Sequence, residues 1–74
     1  MSGYKITTAT QTAAKRVSEI RARRKLSQQG LAAKSGINRV TIARLELAKF
    51  PPNVETLACL ARALRVKVAT LVTP

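Results

Sequence analysis

The sequence predicts an all-α domain, and three observations carry that expectation. Apolar residues recur three and four positions apart along most of the chain. Gly36 and the Pro51–Pro52 pair interrupt this pattern where helices would have to end. Aromatic residues are 3% of the chain against 46% hydrophobic, so the core must be built from Leu, Ile, Val and Ala, which suits packed helices. Seventy-four residues leave room for one such core and no second.

Residues 1–9, MSGYKITTA, read as an N-terminal arm. Tyr4 and Ile6 alternate with polar residues, which fits a short strand or a flexible segment, and Lys5 can touch phosphate. Residues 10–74 read as the folded domain. A first helix is expected from Thr10 to Arg24, because Ala13, Val17, Ile20 and Arg21 fall on one helical face. Ser27 is placed to cap a second helix opened by Gln28 and Gln29, with Leu31 and Ala32 on its buried side. Gly30 weakens that helix by about 1 kcal/mol relative to Ala. Gly36 ends it, since a residue without Cβ takes the left-handed conformation freely.

Ile37 then points inward and Asn38 caps a third helix, in which Ile42 and Leu45 face the core. Pro51 and Pro52 stop any continuation. Asn53 caps a fourth helix, and Glu55 in its first turn offsets the dipole. Val54, Leu57, Leu60, Ala61 and Leu64 form its apolar stripe, with Cys59 at the edge as a small buried side chain. The tail from Val66 to Pro74 fits two periods. Val66, Val68, Leu71 and Val72 suit a short helix, whereas Val66-Lys67-Val68 suits a strand.

Charge narrows the function. Fourteen Lys and Arg face three Glu, with no Asp and no His, for a formal net charge of +11. Such an excess favours a polyanionic partner. With only Glu19, Glu46 and Glu55 as acids, neither a metal cluster nor an acid–base pair is visible, so no enzyme and no cofactor is expected. Cys59 stands alone, which rules out an intrachain disulfide. The apolar runs are far short of a membrane span and the N-terminus lacks an apolar secretory core. A cytoplasmic chain without membrane attachment is the expectation.

The second and third helices, joined tightly at Gly36, read as a helix–turn–helix on a basic chain, which points to double-stranded DNA. Arg39 is the foremost candidate for base readout, because a guanidinium matches guanine O6 and N7 bidentately. Arg44 can read a second base or a phosphate, and Val40 can touch a thymine methyl. Gln28 stands at the start of the second helix, where its amide can bond phosphate. Asn38, Thr41 and Lys49 are candidates for similar positioning contacts.

The chain resembles the lambda-repressor/Cro-like, or XRE-type, helix–turn–helix domains. The resemblance spans about residues 10–72. It rests on Arg21 and Arg24 before Leu26-Ser27-Gln28, then Leu31-Ala32, Gly36-Ile37, Thr41-Ile42 and Leu45-Glu46, and continues through Pro52, Leu57, Leu60-Ala61, Ala63-Leu64 and Val66. It implies a compact five-helix bundle in which Gln28, Arg39, Val40 and Arg44 match the usual DNA-contact positions. It also implies a structural ion pair between Arg21 and Glu46. Three positions depart from the family pattern: Gly30 for a polar residue, and Ala48 and Arg65 where glycine is frequent. The last two put the exit from the third helix and the placement of the tail in question.

These readings converge on a sequence-specific transcriptional regulator, a repressor acting as a homodimer on a palindromic operator. The apolar tail and the end of the fourth helix are the expected dimer contact. The alternative is an antitoxin, which would bind a protein toxin through the arm or tail and repress its own operon. RNA binding is weaker, because only Tyr4 and Phe50 offer aromatic platforms for stacking, and Phe50 is placed to pack the loop before Pro51.

Overall fold

The computed structural model describes residues 8–49 and 51–73. The expectations for Tyr4, Lys5, Ile6 and Phe50 lie outside the described residues. Five helices follow in order: α1 (Thr8–Arg23), α2 (Gln28–Ser35), α3 (Arg39–Glu46), α4 (Val54–Leu64) and α5 (Val68–Val72). There is no strand among the described residues. The tail is therefore a helix, and α1 begins two residues before the expected Thr10. Thr10 is itself buried, one turn before the buried Ala13 and Ala14.

The core is aliphatic throughout. Ala13, Val17, Ile20, Leu31, Ile42, Leu45, Leu57, Leu60, Ala61, Leu64 and Leu71 form one buried cluster. α1 packs against α5, α3 and α4, while α2 lies against α3 and α4. Each fully buried Leu or Ile contributes about 1.5–3 kcal/mol relative to exposure. Two assignments within α4 differ from the sequence reading. Val54 is 76% exposed although it lies on the side of α4 that carries Leu57 and Ala61, because it is the first residue of the helix and burial begins only at Leu57. Cys59 is half-buried at the edge rather than enclosed. In α2, Leu31 alone is fully buried and Ala32 is half-buried.

Side-chain caps start α2, α3 and α4. Ser27 Oγ accepts from Gly30 N at 2.9 Å, Asn38 Oδ1 from Val40 N at 2.7 Å, and Asn53 Oδ1 from Thr56 N at 2.7 Å. Each satisfies an amide that the helix leaves unpaired. The four helix ends before α5 all close through a left-handed residue, and only Gly36 (φ 76°) is glycine. Lys25 (φ 57°), Ala48 (φ 55°) and Arg65 (φ 61°) adopt the same conformation with a side chain.

Around each of these three, two amides fold back onto the last turn. Leu26 and Lys25 donate to Arg21 and Ala22, Lys49 and Ala48 to Arg44 and Leu45, and Val66 and Arg65 to Ala61 and Arg62. This six-to-one plus five-to-two pattern satisfies the orphan carbonyls and offsets the steric cost of φ > 0. The chain thus leaves α3 and turns into α5 through left-handed residues that are not glycine. Leu26 and Val66, each one residue past the left-handed position, pack onto the core and hold the turn in place.

Candidate nucleic-acid interface

α3 turns two side chains fully inward, holds Thr41, Ala43 and Glu46 half-buried, and turns Arg39, Val40 and Arg44 outward. Ile42 and Leu45, three apart, are buried against the core. The opposite side carries Val40 (49% exposed) and Arg44 one turn later, with Arg39 exposed at the helix start. Leu47, at 68% exposure, prolongs the same row beyond the end of α3. The sequence reading did not single it out, although positions 40, 44 and 47 share a helical face. Thr41 is half-buried, and Lys49 is exposed in the loop that follows.

The candidate positioning residues are already partly engaged. Asn38 spends its carbonyl oxygen on the α3 cap and leaves its amide NH2 facing solvent. Gln28, half-buried at the start of α2, donates Nε2 to Glu46 Oε1 at 3.0 Å. One N–H and the carbonyl oxygen of that amide stay available for an outside group. Nothing in the local sequence announces this bond, since its partners lie eighteen positions apart.

Glu46 is the node of the site. Arg21 grips it in a fork, with Nε on Oε2 at 2.8 Å and Nη2 on Oε1 at 3.0 Å. The third bond of the guanidinium, from Nη1, reaches Leu26 O at 2.8 Å in the turn before α2. The two side chains are only 19% and 8% exposed. Partial burial strengthens such charge-assisted bonds, and the bidentate geometry fixes direction as well as distance. The hydrogen bond to Glu46 raises the Arg21 pKa above its ordinary value, while desolvation pulls the other way. One carboxylate thus ties the end of α3 to α1 and to the start of α2. With its inner side set by Ile42 and Leu45 and its end by Arg21, α3 is held at a fixed angle to α2.

Among the described residues, no group of His, Cys, Asp or Glu could hold a metal ion, and no helix is long and apolar enough to cross a membrane. What the surface offers is an exposed row on a short helix, with arginines at its start and near its end. A model of the helix-turn-helix family HTH_3 matches residues 17–71, which includes all of α2, α3 and α4. The chain belongs to this helix-turn-helix family.

HTH_3 relatives of this chain include regulators. An immunity repressor protein of Bacillus phage phi105 is 36% identical over 61 residues, covering 82% of this chain and 42% of the repressor. The chain therefore spans less than half the length of that relative. The crystal structure of the restriction-modification controller protein C.AhdI from Aeromonas hydrophila superposes with a TM-score of 0.81 at 26% identity, over 88% of this chain and 98% of the controller. A Vibrio cholerae transcriptional regulator of the HTH_3 family shares the fold, with a TM-score of 0.82 at 21% identity over 88% of this chain and 38% of its own.

Proposed function

We propose that this chain is a sequence-specific double-stranded-DNA-binding transcriptional regulator, a repressor that acts as a homodimer on a palindromic operator. The observation that carries the reading is the outward row of α3, presented on a helix whose angle the Arg21–Glu46–Gln28 network fixes. A helix of eight residues fits the major groove with its N-terminal end toward the bases. Arg39 and Arg44 read base edges and Val40 packs on a thymine methyl. Gln28, Asn38, Thr41 and Lys49 hold the backbone on either side. The immunity repressor and the controller protein among its relatives support regulation as the purpose of that binding.

Arithmetic favours the homodimer. Three reading side chains address only a few base pairs, and each good contact discriminates by about 1–3 kcal/mol. Their sum, about 3–9 kcal/mol, at best just singles out one site among millions of competitors, and a second copy on a symmetric site doubles it. Selection of bound duplexes from a random pool at near-physiological salt tests the reading. An enriched palindrome with half-sites about one helical turn apart supports it. Recovery of bound DNA without any motif would reduce the interaction to charge alone and overturn sequence-specific regulation.

A further inference from the structure

Away from α3, a recess of about 300 Å³ is lined by Arg23, Arg24, Leu26, Lys34, Ala63 and Arg65. It lies where the C-terminal ends of three helices meet. Arg23 is the last residue of α1, Lys34 stands in the last turn of α2, and Arg65 follows α4. Helix C-termini attract cations, so part of this gathering is structural. Three such ends supply roughly −1.5 elementary charges at most, against four basic side chains. The remainder is an uncompensated positive recess.

No acid corrects it. Each glutamate of the chain is placed elsewhere, and the chain has no Asp. Glu46 is bonded to Arg21 and Gln28. Glu55 sits in the first turn of α4, about 12 Å along that helix from Ala63. Glu19 is one turn before Arg23 on α1, shared with Lys15 and Arg16, and does not line the recess. Arg24, Lys34 and Arg65 are all exposed and have no ion-pair partner among the described residues. Nor does α3 contribute: Lys34 stands about 9 Å along α2 from Gln28, toward the opposite end of that helix.

We propose that this recess is a second phosphate-binding site, separate from the α3 face, which takes clustered phosphates. Guanidinium groups bind phosphate oxygens in bidentate fashion and lysine adds a mobile point charge. A volume of this size lies at the small end of ligand sites and accommodates two or three phosphates. Such a group can belong to a free polyphosphate-bearing molecule or to a DNA backbone outside the groove that α3 faces. The site does not depend on the DNA-reading function, because its first test uses no DNA.

That test is a titration of the full-length protein with tripolyphosphate at about 0.15 M salt, followed by amide chemical shifts. Saturable changes centred on Arg24, Lys34 and Arg65 are expected. The double variant Arg24→Gln/Lys34→Gln should weaken binding about tenfold, whereas Lys15→Gln/Lys67→Gln, which removes the same charge elsewhere, should change it less than twofold. All four side chains are exposed, and thermal melts of both variants check that the fold is kept. Equal losses in the two variants, changes concentrated on α3, or shifts that never saturate would each overturn the proposal. A salt titration of DNA binding then assigns the source. A slope lowered by roughly 2 more in Arg24→Gln/Lys34→Gln than in the control variant places DNA phosphates in the recess. Equal slopes, with tripolyphosphate binding still lost, assign it to a free phosphate ligand.

Discussion

Single residues carry unequal shares of the reading and of the fold. Arg39→Ala should lose about 1–3 kcal/mol on the selected operator and blur one base position. Lys49→Ala should instead weaken all sequences alike and lower the salt slope by about 1, as binding isotherms at several salt concentrations would show. Wild-type affinity in Arg39→Ala would mean that another face of α3 reads the bases. Glu46→Ala leaves the Arg21 fork and the Gln28 amide without their acceptor. We expect it to destabilise the domain by about 2 kcal/mol in urea unfolding. Arg21 adds no pH dependence of its own to that value. Its folded pKa is raised, so its contribution is complete below the ordinary guanidinium value and is lost only as pH climbs through the raised one. The penalty should therefore be the same at about pH 7 and pH 10.

The left-handed positions make a paired prediction at the same scale. Ala48 holds φ 55° with a Cβ, so Ala48→Gly should stabilise the protein by about 1 kcal/mol. Gly36→Ala is the reverse experiment. No atom beyond its two chain neighbours lies within 4 Å of the added Cβ, so its cost, again about 1 kcal/mol, is conformational and not a tertiary clash. Thermal melts of the two variants should move in opposite directions.

Among the elements, α2 is the one held by its ends. It buries Leu31 alone, and Ser27 and Gly36 close its two termini. Gly30 belongs to the first of these ends. A Cβ there would meet Ser27 Oγ at 3.3 Å and a Leu26 methyl at 3.4 Å. The same Oγ accepts the Gly30 amide, so crowding it disturbs the cap. Gly30→Ala should accordingly gain less than the roughly 1 kcal/mol that helix propensity promises. A full gain in chemical denaturation would show that the cap yields without loss.

What was legible in the sequence follows the same division. Ser27, Asn38, Asn53 and Gly36 mark helix boundaries through local chemistry, and those boundaries are where local chemistry puts them, whereas α3 ends at Glu46, well before the Pro51–Pro52 stop. Residues 66–72 were ambiguous because so short a stretch satisfies both periods, and burial of Leu71 against the rest of the core decides for helix. Lys25 carries no outward sign of φ > 0, and at Ala48 and Arg65 only the glycine frequent in the family points to it. At the candidate site the outward residues of α3 could be read from periodicity. The Gln28–Glu46 bond could not, because it joins residues of two different helices.

For the whole molecule, a small core and a large charge dominate. With a formal charge of +11, self-repulsion opposes compactness at low salt. A homodimer would add buried area that 74 residues cannot supply alone, and its melting temperature would rise with protein concentration. A melting temperature independent of concentration over two decades would place dimerisation on the operator and not in free solution.

The guanidinium of Arg21 has a last consequence, for motion. It bonds the turn at Leu26 and the final residue of α3 at once. Opening of either segment takes away part of the three-bond set that orders this guanidinium, and so loosens the side chain that holds the other. Their backbone amides should therefore share a single opening free energy in hydrogen exchange, as one cooperative unit. The short helix that faces outward then fluctuates with the body of the domain, and does not fray from its own end.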